Sequence, residues 1–87
     1  MRVEVKVREV KGKCSAGYKV GDAFFINDPV VASDGETPLC SYAISAMLPY
    51  LSAFCRKTDE VDWINSLKEL QCPDCKNTVT FSLTRVD

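Results

Sequence analysis

Both ends of this chain alternate apolar and polar residues with a period of two. Near the start, Val3, Val5 and Val7 interleave with Arg2, Glu4, Lys6 and Arg8; near the end, Val79, Phe81 and Leu83 interleave with Thr78, Thr80, Ser82 and Thr84. Successive side chains of a strand point to opposite faces, so each run predicts a strand with one face buried and one wet. Residues 2–10 and 78–86 are therefore expected as half-buried strands. A sheet with one wet face needs cover on the other.

The segments between supply that cover. Ala23-Phe24-Phe25-Ile26 is a short apolar run ended by Asn27-Asp28-Pro29 and reads as a second strand, and residues 28–36 read as an exposed loop. Thr37-Pro38 looks like a helix start, with Thr37 as N-cap and Pro38 at the first helical position. Leu39, Ala43, Ala46, Met47, Tyr50, Leu51 and Phe54 then follow at helical spacing. Pro49 lies inside this stretch and predicts a kink or a break. Val61, Ile64 and Leu67 suggest a short second helix over residues 58–66, and residues 68–72 a further strand. Tyr50 and Trp63 are expected as core anchors. The expected fold is α+β: a small antiparallel sheet, ββααββ along the chain, with a kinked helix and a short helix packed on one face. At 87 residues, residues 1–87 make a single domain, near the small end of what a hydrophobic core holds unaided.

Five cysteines and no histidine set the chemistry. Cys72-Pro73-Asp74-Cys75 falls between two strand-like runs, and such a turn aims two sulfurs at one point, as in a zinc-binding knuckle. Asn77, just after it, suits a left-handed turn. Cys14 follows the first strand in a turn, and Cys40 lies in the first turn of the main helix, where unpaired N–H groups favour a thiolate. Turn, helix start and hairpin tip can converge at one end of a small sheet. The candidate metal ligands are accordingly Cys14, Cys40, Cys72 and Cys75. Cys55, at the end of the apolar helical stripe, reads as packing. Without histidine, a metal here leans on sulfur: zinc is favoured, with an iron–sulfur cluster as the alternative. A four-cysteine zinc site would be closed, whereas three ligands would leave a position open.

Two other readings use the same residues. Cys72 and Cys75 could form a thiol redox or sulfur-handling pair, although a redox pair usually precedes a helix rather than lying between strands. The cysteines could also be small core residues of a metal-free interaction domain. Gly17 and Gly21 lack the Gly-Lys-Ser/Thr ending of a phosphate loop, and no motif defines an enzyme.

A formal net charge of −1, with eleven basic and twelve acidic residues, provides no basic stripe for nucleic acid. The nearly uncharged stretch from Thr37 to Cys55 is broken by Pro49 and dotted with serines, as in a core helix rather than a membrane span. The first residues enter a strand pattern at once, without the charged start and apolar stretch of a secretory leader. A cytoplasmic location is expected, where thiols stay reduced. A protein partner is open to such a chain, and exposed sheet edges could support a homodimer.

The ordered motifs together resemble a family of small uncharacterised prokaryotic proteins of about this length, over nearly the whole chain. The residues that carry the resemblance are Cys14-Ser-Ala-Gly17-Tyr18 with Gly21-Asp22, Leu39-Cys40-Ser-Tyr-Ala43 leading to Pro49-Tyr50, Trp63, and Cys72-Pro73-Asp74 followed by Val79 and Phe81. The resemblance brings no established activity with it. It implies that Cys14, Cys40 and Cys72 are the shared positions and that Cys75 and Cys55 are departures. Histidine often stands in the family where this chain has Tyr18.

Overall fold

A computed structural model describes residues 1–86. Arg2–Val10 forms β1, Ala23–Asn27 β2, Val30–Ser33 β3, Ser41–Phe54 the helix α1, Trp63–Ser66 a single 3-10 turn, Glu69–Gln71 β4 and Val79–Val86 β5. The five strands make one antiparallel sheet in the order β3-β2-β1-β5-β4. The α+β class and the two terminal strands agree with the alternation in the sequence.

Register follows from the apolar face. Val5 sits opposite Phe24 on one side and Leu83 on the other, and Val7 and Leu70 flank Phe81. All but half-buried Leu70 are buried, whereas Arg2, Lys6 and Arg8 of β1 are exposed on the other face. One slip of register would reverse both faces, so the pattern specifies the pairing strongly. Ala43, Met47, Leu51 and Phe54 of α1 and Ile64 of the 3-10 turn complete the core. The Met, Leu, Phe and Ile side chains each contribute about 1.5–3 kcal/mol by leaving water, the Ala43 methyl less. Cys55 is buried with them, its Sγ 3.7 Å from the Ile26 carbonyl oxygen, the packing role expected for it.

Several local expectations are corrected. The element order is βββα, a 3-10 turn, then ββ, not ββααββ. Residues 30–33 are not loop: they turn back at Asp28-Pro29 and pair with β2, Val31 opposite Ile26. A four-residue strand acquires its hydrogen bonds only from this neighbour, which no local pattern displays. The helix begins at Ser41 with Cys40 as its N-cap, not at Thr37. Thr37 is buried, and its hydroxyl accepts from the Ala23 N–H at 3.4 Å, so it anchors the loop to β2 instead.

The helix also runs through Pro49 as one element, not as the kinked or broken helix expected. Pro49 and Ser45 both lie on its exposed side, where water can satisfy the carbonyl that Pro49 leaves without a donor. Segment 58–66 forms only the 3-10 turn, because Asp59 and Asp62 spend their carboxylates on the Val61 and Ile64 N–H groups of successive tight turns. Tyr50 and Trp63 are not core anchors: they are 43% and 62% exposed and pack on each other at the surface.

Candidate functional site

Antiparallel pairing decides which loops meet. Val10 at the end of β1 lies opposite Val79 at the start of β5, so the β1–β2 loop and the β4–β5 hairpin emerge at the same end of the sheet. They are stitched together there. Lys11 N–H donates to the Thr78 carbonyl at 2.8 Å, and Lys13 N–H donates to Asn77 Oδ1 at 2.9 Å. Gly12 turns between them with φ of +79°, and a Cβ on it would fall 2.9 Å from the Lys76 carbonyl oxygen. The contact admits only glycine. Asn77 does not take the left-handed conformation expected of it, since every positive φ among the described residues belongs to glycine. Its side chain serves the loop contact instead.

The start of α1 closes the third side. Tyr18 is 4% exposed, and its ring packs edge-on against Phe81, centroids 5.3 Å apart at 89°. Its oxygen accepts the Cys40 N–H at 3.0 Å, tying the helix start to the β1–β2 loop. Burial pushes the Tyr18 pKa above its usual value although that hydrogen bond acts the other way; Cys40, Cys14 and Asp22, each negative when ionised, push it further up.

Between these three segments lies a cleft of about 310 Å³ lined by Cys14, Cys40 and Cys72 together with Tyr18, Asp74 and Ala43. All three cysteines are partly buried and free. Cys72 is held by the hairpin: its N–H donates to the Val79 carbonyl at 3.0 Å, and the Val79 N–H donates to its Sγ at 3.3 Å. Asp74 orders the tip, its Oδ1 accepting from the Asn77 and Lys76 N–H groups, which hold its pKa below the usual carboxylate value. Cys40 caps α1 without any side-chain hydrogen bond to the cap, and no acidic residue stands in the first turn. The helix therefore brings no carboxylate of its own to offset its positive end, whose Cys40 and Ala43 line the cleft.

Cys75 does not join this lining; it stands exposed on the hairpin. Cys55 lies in the core. In the positions they occupy, no three Cys, Asp or Glu side chains among the described residues form a group that could hold a metal ion. The three sulfurs share a cleft without being at chelating separation. Tyr18, Asn77 and Gly12 are the residues that position the site, and no spacing in the sequence marks them for that role. Beside the cleft, a polar hollow of about 460 Å³ is lined by Asp22, Asp34 and Glu36 and contains no cysteine.

No family model, curated protein or solved structure matches this chain. Among the described residues, no helix is long and apolar enough to cross a membrane.

Proposed function

We propose that the cleft is a thiolate site for one metal ion, zinc foremost, held by Cys14, Cys40 and Cys72 with a fourth position open to the cleft. The observation that carries this reading is the meeting of three sequence-distant cysteines on one lining in a chain without histidine. Two features of the surroundings favour it. Three thiolates around a dication leave a net negative charge, which the uncapped start of α1 opposes. The Val79 N–H already donates to Cys72 Sγ, and hydrogen bonds to sulfur of this type stabilise and tune sulfur ligands.

Binding requires the sulfurs to turn inward. The Val79 N–H holds Cys72 Sγ where it is, so Cys14 and Cys40 are the ligands that would have to move toward it. A bound zinc ion would supply Lewis acidity at its open position. Free thiols of this kind fit a reducing compartment such as the cytoplasm.

The test is metal content and visible absorption of untagged protein purified anaerobically, followed by zinc titration of metal-free protein. About one zinc per chain without colour is expected, with binding lost in Cys14→Ser, Cys40→Ser and Cys72→Ser. Zinc at a hundredfold excess over its Kd should add about 2.7 kcal/mol to unfolding stability. Brown protein containing iron and sulfide would assign an iron–sulfur centre instead. Metal-free protein that ignores added zinc refutes the reading and leaves thiol chemistry or packing.

A further inference from the structure

A second surface, away from the cysteines, carries a separate inference. The only tryptophan of the chain, Trp63, is 62% exposed, Tyr50 is 43% exposed and Val61 is 90% exposed. Single exposed apolar residues are ordinary, but a tryptophan left largely in water beside a tyrosine is not. The two rings pack edge-to-face, centroids 6.1 Å apart at 65°. They line a groove of about 310 Å³ together with Pro49, Ala53, Thr58 and Ile64.

Charge says what this groove can take. Asp62 is the one charged residue in its lining, among the described residues. Its Oδ1 accepts from the Ile64 N–H at 3.0 Å, which fixes the carboxylate in the wall. Exposed Asp59 and Glu60 stand on the turn just before it. No basic residue enters the lining: Arg56 pairs with Asp28 at 3.1 Å, and neither Lys57 nor Lys68 reaches the groove wall. The groove thus joins aromatic faces to one fixed carboxylate, with no basic side chain in its lining. That combination recognises a cation carried on an apolar stem, by cation–π contact and ion pairing together.

We infer that the Tyr50–Trp63 groove is a docking site for a basic segment of a partner protein, an arginine side chain seating against Trp63 beside the Asp62 carboxylate. Arginine suits it better than lysine because its planar group stacks on a ring while its N–H groups pair with a carboxylate. The inference does not depend on the metal reading, since none of these residues touches the cysteine cleft.

Because Trp63 is the only tryptophan, its fluorescence reports this groove directly. The probe is an acetylated heptapeptide of alternating glycine and arginine, with glutamate and serine counterparts as controls. A saturable change in emission is expected with the arginine peptide and none with the others, weakening as salt screens the attraction. Asp62→Asn keeps the acceptor for the Ile64 N–H while removing the charge, and should weaken binding about threefold to fivefold. Trp63→Leu, followed by calorimetry, should abolish it while circular dichroism shows the fold intact. No response to the arginine peptide overturns the inference, as does an equal response to the serine or glutamate peptide. A concentration-dependent shift in the peptide-free protein would assign the groove to a second copy of the chain and also overturn it.

Discussion

Tyr18→Phe removes one oxygen and tests whether that oxygen holds the start of α1 against the β1–β2 loop. The ring remains, so its edge contact with Phe81 at 5.3 Å survives. What disappears is the acceptor of the Cys40 N–H at 3.0 Å. A hydrogen bond of this kind contributes about 1 kcal/mol net, and a fully buried orphaned donor costs about 1–3 kcal/mol. Cys40 is only partly buried and lies at a helix end, where water can replace the phenol. Phenylalanine also has no hydroxyl to keep from water. The expected loss is therefore at the low end, about 0.5–1.5 kcal/mol. With a urea m-value of about 1 kcal/mol/M for a chain this small, the midpoint should fall by about 0.5–1.5 M at unchanged m. A shift below about 0.2 M would refute the claim that the phenol ties the helix start to the loop. Alkaline titration supplies an independent check. Burial raises the folded pKa of Tyr18, so its contribution is complete below the unfolded value near 10 and is lost as pH rises through the folded value. Wild-type protein should lose that component of stability above about pH 10, and Tyr18→Phe should lack it. Identical alkaline slopes in the two proteins would also refute the argument.

Three other outcomes follow from the same end of the sheet. Gly12→Ala should destabilise the fold by about 1–3 kcal/mol in urea denaturation, because φ is +79° and the new Cβ would meet the Lys76 carbonyl oxygen at 2.9 Å. Asp74 and Asp34 both have lowered pKa values, first from the N–H groups of Asn77 and Thr37 respectively. Their contribution is present above the unfolded carboxylate value and lost as pH falls through the depressed folded values, so Asp74→Asn should flatten the acid limb of stability against pH. Cys75→Ser should leave zinc stoichiometry and unfolding midpoint unchanged, whereas Cys72→Ser should abolish zinc binding; equal losses in the two variants would return Cys75 to the ligand set.

The parts of the fold that were legible in the sequence are those whose signal is periodic. Val3, Val5 and Val7 place β1 to the residue because a half-buried strand must alternate, and Val79, Phe81 and Leu83 place β5 to within one residue, Thr78 falling outside it. The errors cluster where tertiary contacts outvote local chemistry. Thr37-Pro38 has good N-cap credentials, yet the Thr37 hydroxyl serves the Ala23 N–H and the helix waits until Ser41. Pro49 disrupts a helix less where the carbonyl it leaves without a donor can reach water, and here that side of the helix is exposed. Trp63 looks like core by composition, but the Asp62-capped turn presents it outward.

The cysteines show the same division on a smaller scale. Spacing identifies only the Cys72-Pro-Asp-Cys75 pair, and of the two only Cys72 lines the cleft: a two-residue gap lets both sulfurs approach a point, but it does not oblige them to. Here Asp74 closes the turn on the N–H groups of Lys76 and Asn77, and Cys75 is left exposed. Cys14 and Cys40 carry no spacing signal. Their place beside Cys72 follows from topology, because β1 and β5 are antiparallel and the loops that leave their adjoining ends must share one rim. Tyr18 then brings the helix start to that rim through the Cys40 N–H. A site assembled in this way depends on loop contacts rather than on ligand spacing. Loosening Gly12, Asn77 or Tyr18 should therefore weaken metal binding without removing a sulfur, whereas a self-contained knuckle would be indifferent to all three.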